Sequence, residues 1–360
     1  VMDAPMFLAF MQASHPPDSN PNKRPGRWVG EEKWPSPRIE VRAFALKENT
    51  LVDDPTAGDG IQKVRTPVTV GLKSGEYMPI SGVAELPQDQ REDDARSVCF
   101  DSAPLREKMD LLGTTNLLLR VSSDSATGLI AARICDVAPD GASTLISYGI
   151  LNLKQRDGKE HLAPVTPNEF TEVNVRLNDT GWALKLGHRL RLALSTQLWP
   201  MAWPVADQAE LTLDLAQCKL FLPIRNSDFD DQIEQAFATP VAAEPLAHKT
   251  VEPSKGGRFI NQNVETGEVV YDVNFDGGKT YFESADLIYG SSNTQRYTIT
   301  EGDPLSAEVY YQAKFSFARK EWDVHTSSEL TVTCDADNFY LKGKIEAFED
   351  EQLVFNRGWD

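Results

Sequence analysis

The stretch Glu172–Asn178, with the sequence EVNVRLN, alternates strictly between polar and apolar residues. A period of two places its two valines and its leucine on one face of an extended chain, as in a β-strand with one buried side. The stretches Leu190–Leu194 and Leu211–Leu215 alternate in the same way. Strands of this length and patterning predict an all-β fold for this part of the chain.

Further strand candidates extend this pattern toward the N-terminus, at Asn116–Ser122, Gly128–Val137 and Thr144–Leu153. The last two are separated by Ala138-Pro139-Asp140-Gly141, where proline pre-sets φ and glycine accepts a positive φ, so a tight hairpin is expected. Regularly spaced short strands with few helical signals predict a β-sandwich of the jelly-roll type with only short helices.

The C-terminal third also alternates, most clearly over Val309–Phe317, and predicts a second antiparallel β region with one dry face. Between the two β regions, Ser227 is a candidate cap for a short helix. The stretch that follows, Ala238–Pro253, is rich in alanine and proline and is interpreted as a linker.

The composition is that of a globular chain and excludes several classes of partner. In 360 residues, 41% are hydrophobic and 25% are charged, with 54 acidic and 36 basic residues and a net charge of −18. Such an acidic chain has no attraction for nucleic acid or an anionic membrane. Four cysteines without a CxxC pair, and no signal peptide at the start, predict a cytoplasmic chain that is a piece of a longer protein.

No residue pattern indicates a complete catalytic or metal site. Leu145–Gly149 (LISYG) approaches the Gly-x-Ser-x-Gly nucleophile motif but lacks the first glycine, so Ser147 is interpreted as a strand serine. His188 opens a strand and is assigned a positional role. The acidic clusters at 92–94 and 228–231 match no calcium loop and are interpreted as solvated faces or a helix N-terminus. We therefore predict no catalytic residue, no cofactor and no metal.

Aromatic residues in loops carry more information. Trp199 and Trp203 lie in the proline-stiffened loop Leu198–Pro204, directly after a strand, and are either a plug in the local core or a contact surface. The residues leave both interpretations open. The loop Gly71–Glu85 is long for a compact domain, and such loops are usually functional or interfacial.

A set of motifs over Gln88–Arg225 resembles the C-terminal domain of the Xaa-Pro dipeptidyl-peptidase and CocE/NonD hydrolase family. In chain order the motifs are QDQREDD at 88–94, CFDSAPL at 99–105, VSSD at 121–124, DVAPDG at 136–141, GHRLRL at 187–192 and LP at 222–223. Pro25–Trp28 and Trp34–Pro37 resemble the segment that joins this domain to the family's hydrolase domain. Tyr271–Val273 and Pro304–Ala307 resemble the tail of longer members.

The resemblance implies a galactose-binding-like jelly roll that follows an α/β-hydrolase domain with a Ser-His-Asp triad. No position of this chain matches that triad. The implied domains are a joining segment at 1–38, the jelly roll at 39–226, a short helix and linker at 227–253, and the C-terminal β region at 254–360. The chain would then be a non-catalytic accessory domain that supports the hydrolase domain, shapes access to its active site and helps form a homodimer. The candidate pocket-mouth or interface residues are Tyr77, Met78, Trp199 and Trp203.

Two other hypotheses remain open at this stage. The first is a carbohydrate-binding module, because the galactose-binding-like fold hosts many lectin domains. The second is a new triad built from Ser147, His188 and an aspartate, which requires the three side chains to lie within hydrogen-bond reach.

Overall fold

The computed structural model describes residues 5–77, 85–227 and 241–360, and their regular structure is almost entirely β, as predicted. The chain divides into two compact units, Val1–Ala236 and Phe237–Asp360. Helix in the described residues is limited to α1 (Arg91–Asp94) and three 3₁₀ turns, Leu153–Gln155, Leu215–Gln217 and Glu283–Ala285. No helix in this part of the chain has the length and apolarity needed to cross a bilayer. The helix predicted to begin at Ser227 lies outside the described residues.

Unit 1 is built from fifteen described strands. In chain order they are β1 Phe7–Ala13, β2 Gly26–Glu31, β3 Ile39–Lys47, β4 Thr50–Val52, β5 Ile61–Val64, β6 Val98–Asp101, β7 Met109–Gly113, β8 Asn116–Ser123, β9 Leu129–Val137, β10 Ser143–Asn152, β11 Thr171–Arg176, β12 Thr180–Leu184, β13 Arg189–Ser195, β14 Leu211–Asp214 and β15 Lys219–Arg225.

Strand β15 connects three arms of the sheet in unit 1. It pairs with β3 along its length, with β8 at Lys219–Phe221 and with β7 at Ile224–Arg225. One arm runs β10-β9-β13-β6-β4-β3, a second runs β7-β12-β1-β2, and β8 with β11, β14 and β5 forms the third. All three arms direct apolar residues into one core, so unit 1 is a β-sandwich.

The alternating stretches that predicted the fold supply the core. The valines and the leucine of Glu172–Asn178, the leucines of β13 and those of β14 are all buried, on both layers of the sandwich. Alternate residues of a strand reach the same face, so these stretches bury their apolar side chains while their polar neighbours remain at the surface or pair with each other.

The first 38 residues, interpreted above as a joining segment, contribute two strands to the sheet of unit 1. Strand β1 pairs in parallel with β12 at Gln12 and Ala13, and β2 continues the same edge. A buried ion pair fastens this edge to the sandwich: Arg225 Nε donates to Glu31 Oε1 at 2.6 Å, and Ser36 and Arg38 also donate to that carboxylate. Burial opposes ionisation of Glu31, but the Ser36 hydrogen bond and the two guanidinium groups hold its pKa below the ordinary value.

We expect this lowered pKa to make unit 1 sensitive to acid. A carboxylate with a lowered folded-state pKa stabilises the fold above its unfolded pKa of about 4.5, and that contribution is lost as the pH falls through the folded-state value. The melting temperature of unit 1 should therefore decline below about pH 4.5, and Glu31→Gln should flatten this decline. Calorimetry across pH 3–7 measures it, with exposed Glu172→Gln as the control expected to keep the wild-type slope. An unchanged slope in Glu31→Gln would contradict the assignment.

Unit 2 is one antiparallel sheet of long strands. They are β16 His248–Glu252, β17 Lys255–Gln262, β18 Glu268–Phe282, β19 Leu287–Thr300, β20 Asp303–Arg319, β21 Trp322–Cys334, β22 Phe339–Glu349 and β23 Gln352–Trp359. From β18 to β23 each strand pairs with the next, while β16 and β17 both pair with β18. The second antiparallel region is confirmed.

Two details of the C-terminal half differ from the sequence analysis. The interval 227–253 contains β16, which pairs with the second half of β18 and so is a strand within the predicted linker. The predicted dry face of the second sheet is only partly dry. Its apolar side chains are buried around β18 and β19, but Tyr311, Phe315 and Phe317 on β20 remain substantially exposed, because the single described sheet of this unit has no second layer over them.

Candidate functional site

Folding brings the two candidate loops of unit 1 side by side. The N–H of Trp199 donates to the carbonyl of Val70 at 2.7 Å, which joins the second loop to the start of the first. Just before this contact, the backbone N–H groups of Thr66 and Thr196 each donate to the other residue's hydroxyl, at 3.1 and 3.0 Å. Residues distant in sequence therefore form one continuous loop surface, which we call the loop cluster (residues 71–77 and 198–204).

A buried carboxylate holds the first of these loops. Asp93 accepts hydrogen bonds from the N–H groups of Gly71 at 3.0 Å and Lys73 at 3.1 Å. Burial raises the pKa of Asp93, while the Arg133 guanidinium and the two backbone donors oppose that shift. Gly71 has φ +114°, and a Cβ there would lie 2.7 Å from the carbonyl oxygen of Trp199, so only glycine allows the two loops to approach this closely.

The structure separates the candidate residues into a buried and an exposed group. Trp199 is only 1% exposed and its ring meets that of Trp203 edge to face at 5.8 Å. Trp203 is partly exposed, and Tyr77 is 71% exposed. Met78 lies outside the described residues. Trp199 thus contributes to the interior of unit 1, whereas Tyr77 and Trp203 present aromatic surface to solvent.

The second loop rests on the outer face of the sandwich. Leu198 packs against Leu129 and Ala131 of β9, and the neighbouring Tyr148 and Met201 join this small apolar cluster. Burial raises the pKa of the Tyr148 phenol. The loop that carries Trp203 is consequently held by packing on a strand pair on both sides of that residue, through Ala202 and Val205.

A buried polar network lies beneath the loop cluster. Arg133 on β9 is fully buried and donates to Gln90 Oε1 at 2.8 Å and to Ser97 Oγ at 2.9 Å. Its Nη2 lies 3.3 Å from Asp94 Oδ1, and the other oxygen of that carboxylate, Oδ2, accepts a hydrogen bond from Ser143 Oγ at 2.7 Å. The network links α1 to the β9–β10 hairpin, and so fixes the helix that carries Asp93.

The acidic cluster at 92–94 lies in the first turn of α1, so of its two interpretations the helix N-terminus is confirmed and the solvated face is wrong. Asp93 and Asp94 are buried, because backbone N–H groups and the Arg133 and Arg191 guanidinium groups compensate their charge. In the described ranges no group of three or more potential ligands is arranged to hold a metal ion. The cluster at 228–231 lies outside those ranges.

A second polar cluster surrounds Asp136 near the other end of β9. This buried carboxylate accepts hydrogen bonds from Trp182 Nε1 at 2.9 Å, from His188 Nδ1 at 2.6 Å and from the hydroxyl of Ser14. In a catalytic triad the imidazole lies between the hydroxyl and the carboxylate. Here the carboxylate lies between the other two groups, so the arrangement ties β1, β12 and β13 to β9 and does not generate a nucleophile.

The hypothesis of a new triad around Ser147 is wrong. The Ser147 hydroxyl donates to the backbone carbonyl of Asn178 at 2.6 Å, while His188 is held by Asp136. The thiols of the half-buried Cys99 and the buried Cys218 are no better suited to chemistry, because burial raises the pKa of Cys99 to about 12 and that of Cys218 to about 11. In the described part of unit 1, the candidate functional feature is therefore the loop cluster, as a contact surface.

Sequence reasoning did not single out Arg133 or Asp136 as structural centres. A signal was present, because both stand in Leu129–Val137, whose sequence LIAARICDV is otherwise apolar. Arginine and aspartate are almost never fully buried unless they are paired, so two such residues in a buried strand indicate two ion or hydrogen-bond partners elsewhere.

A family model described as the X-Pro dipeptidyl-peptidase C-terminal non-catalytic domain matches residues 2–237. The chain belongs to this family. The match confirms the resemblance drawn from the sequence motifs, and it ends at residue 237, one residue beyond the end of unit 1. The motifs that carry the resemblance are thus structural: QDQREDD supplies α1 and Asp93, and GHRLRL supplies His188 and the start of β13.

Two relatives among the curated proteins illustrate the range of this family. The chain is 25% identical over 187 residues to the cocaine esterase of Rhodococcus sp. (strain MB1 Bresler), covering 48% of this chain and 32% of that enzyme. It is 28% identical over 163 residues to the Xaa-Pro dipeptidyl-peptidase of Streptococcus thermophilus (strain CNRZ 1066), covering 36% of this chain and 22% of the peptidase. The chain spans about a third or less of the length of these relatives.

Solved structures include similar chains. A CocE/NonD family hydrolase from Staphylococcus aureus aligns with 62% of this chain and 42% of its own length, at a TM-score of 0.46 and 16% identity. An α-amino acid ester hydrolase aligns with 55% of this chain and 39% of its own length, at a TM-score of 0.48 and 18% identity.

Proposed function

We propose that unit 1 is the accessory domain of a serine hydrolase that acts on acyl esters, amides or Xaa-Pro peptides, and that its partner is an α/β-hydrolase domain of the same parent protein. The observation that carries this proposal is the match of residues 2–237 to a non-catalytic C-terminal domain family. The relatives named cocaine esterase and Xaa-Pro dipeptidyl-peptidase support a hydrolase as the parent.

In this proposal the loop cluster faces the hydrolase domain and narrows access to its active site. Three features support that role: Tyr77 is an exposed and Trp203 a partly exposed aromatic side chain, Asp93 anchors the loop that carries Tyr77, and the β9–β10 pair supports the loop that carries Trp203. Aromatic anchors on a preorganised support are the usual centres of protein interfaces.

The finer assignments belong to the same proposal. Residues 39–226 form a galactose-binding-like jelly roll, residues 1–38 lead from the hydrolase domain into its sheet, residues 227–253 connect to the C-terminal β region at 254–360, and the parent enzyme is cytoplasmic. The chain needs no cofactor for this role.

The first test measures whether the chain by itself has hydrolase activity. Purified chain is expected to give no turnover of p-nitrophenyl acyl esters or Xaa-Pro-p-nitroanilides above buffer, and the parent hydrolase should turn over at least one of them. Esterase activity of the chain that survives repurification and is lost in Ser147→Ala would overturn the proposal. Saturable quenching of tryptophan fluorescence by galactose, abolished in Trp203→Ala, would favour a carbohydrate-binding module instead.

The role of the loop cluster is tested in the parent hydrolase. Tyr77→Ala and Trp203→Ala are expected to change KM for bulky substrates by about 5-fold or more, as loss of an interface or pocket anchor does, while kcat for a small acetyl ester stays near wild type. Ile61→Ala, which removes an exposed apolar side chain on β5, is the matched control and should change neither constant. Unchanged KM in both loop variants would remove the pocket-mouth role but leave the family assignment intact.

A further inference from the structure

Unit 2 lies outside the family match and carries a distinctive surface. Directly paired residues in an antiparallel sheet point to the same face, so the register defines which side chains lie together. Val309 pairs with Val332, and Val332 pairs with Leu341. The same register places a set of large apolar side chains on this face, which we call the apolar face: Tyr311, Phe315, Phe317, Trp322, Leu330, Phe339, Leu341, Phe355 and Trp359.

The opposite face has a different chemistry. There Gln312 donates to Glu329 Oε1 at 2.9 Å, and Glu329 is paired in register with Lys344, which bonds Glu346. Charged residues that pair across strands are typical of a sheet surface in contact with water. The sheet is therefore amphipathic, and the apolar face is the one that is stabilised by burial against another element.

The amount of exposed apolar surface is that of a protein interface. The nine side chains of the apolar face are between 37% and 59% exposed. With about 200 Å² for a large side chain, they leave roughly 800 Å² of apolar surface in water. The largest apolar patch of a typical monomer is about 300–600 Å². A stable dimer buries about 800 Å² on each partner.

The charges indicate what kind of partner fits. Over the paired residues of β20–β23, from Val309 to Trp359, the apolar face carries only three charged side chains, Arg319, Glu349 and Arg357, in a chain whose net charge is −18. Two such acidic chains repel each other over most of their surfaces, and this nearly neutral face is where they can meet without that cost. A nearly neutral apolar patch of this size can pack against the same patch of a second copy, which is the contact that a two-fold axis generates.

We propose that the apolar face of unit 2 packs against the same face of a second copy of this chain, forming a two-fold homodimer. The two sheets meet face to face over β20–β23. Pairing through the edge strand β23 alone would leave Phe315, Phe317 and Leu330 in water, whereas face-to-face packing covers them. Face-to-face packing therefore buries more apolar surface and is the mode of association that we propose.

The molar mass in solution tests the proposal on the full chain. At about 10 μM, a concentration well above the Kd of a standard-sized interface, light scattering after size exclusion should give twice the 40.0 kDa of one chain. Phe355→Lys should weaken the dimer about 30-fold or more, because it buries a charge at the interface. Phe355 lies on the edge strand, where a substitution disturbs the sheet least, and circular dichroism confirms that the variant is folded.

The control lies on the same strand. Leu353 is 42% exposed and pairs with Phe348 on the opposite face, so Leu353→Lys adds the same charge to β23 without touching the proposed interface. This variant should remain dimeric. A monomeric wild-type chain at about 100 μM overturns the proposal, as does a Phe355→Lys variant that stays fully dimeric. Equal dissociation by both variants would show edge pairing and would also overturn it. Neither outcome bears on the hydrolase assignment of unit 1.

Discussion

Arg133→Met is expected to destabilise unit 1 by about 3–5 kcal/mol, the usual cost of breaking a buried ion pair from one side. The Arg133 guanidinium is fully buried between Asp94, Gln90 and Ser97. Methionine fills much of the same volume but leaves the carboxylate of Asp94 with less compensating charge and the Gln90 oxygen without its donor. Urea denaturation followed by tryptophan fluorescence measures the loss.

The matched control is an arginine whose ion pair is at the surface. Arg176 pairs with Asp179 at 3.3 Å, and both side chains are about two thirds exposed. Arg176→Met should therefore change the free energy of unfolding by less than about 1 kcal/mol. A loss below about 1 kcal/mol in Arg133→Met would mean that the buried network contributes little, and that Asp93 and its loop are held by packing alone.

The two tryptophans of the second loop should respond in opposite ways. Trp199→Ala is expected to cost about 3–5 kcal/mol of stability in unit 1, because it removes a large, fully buried side chain from a packed interior. Trp203→Ala should cost about 1 kcal/mol or less, because its ring is already partly in water. Thermal unfolding of the two variants provides the comparison.

The outcome decides between the two interpretations that the sequence left open. A large stability loss confined to Trp199→Ala identifies this residue as a core plug and leaves Trp203 as the contact residue. Similar losses in both variants would assign both rings to the core and would remove Trp203 from the proposed pocket mouth. The stability measurements are made on the chain alone, so they are independent of any effect on the parent hydrolase.

Much of unit 1 was predictable because strand periodicity is a local property. The alternation in Glu172–Asn178 and in the leucines of β13 needs no knowledge of distant residues, and those side chains are buried as expected. The family resemblance could also be recognised from the sequence, because it depends on short motifs in a fixed order, and the family match confirms it.

The buried polar network was not predictable in the same way. Asp93 and Asp94 appear in sequence as part of an acidic run, and acidic runs usually lie in water. Their burial depends on Arg133, about forty residues later, and on N–H groups of the 71–77 loop that come before them. Likewise, alternation on β20 indicates an amphipathic sheet, but whether its apolar face is covered depends on what packs against it.

The amino-acid sequence by itself determined the class of structure, the strand periodicity and the membership of a hydrolase-associated family, because each is written in local spacing or in short motifs. Tertiary structure alone decided that Trp199 turns inward and Tyr77 outward, that Asp93 holds a distant loop, and that the second sheet leaves aromatic side chains in water. Burial and pairing are relations between residues far apart in the chain, and such relations come into existence only when the strands are placed against one another.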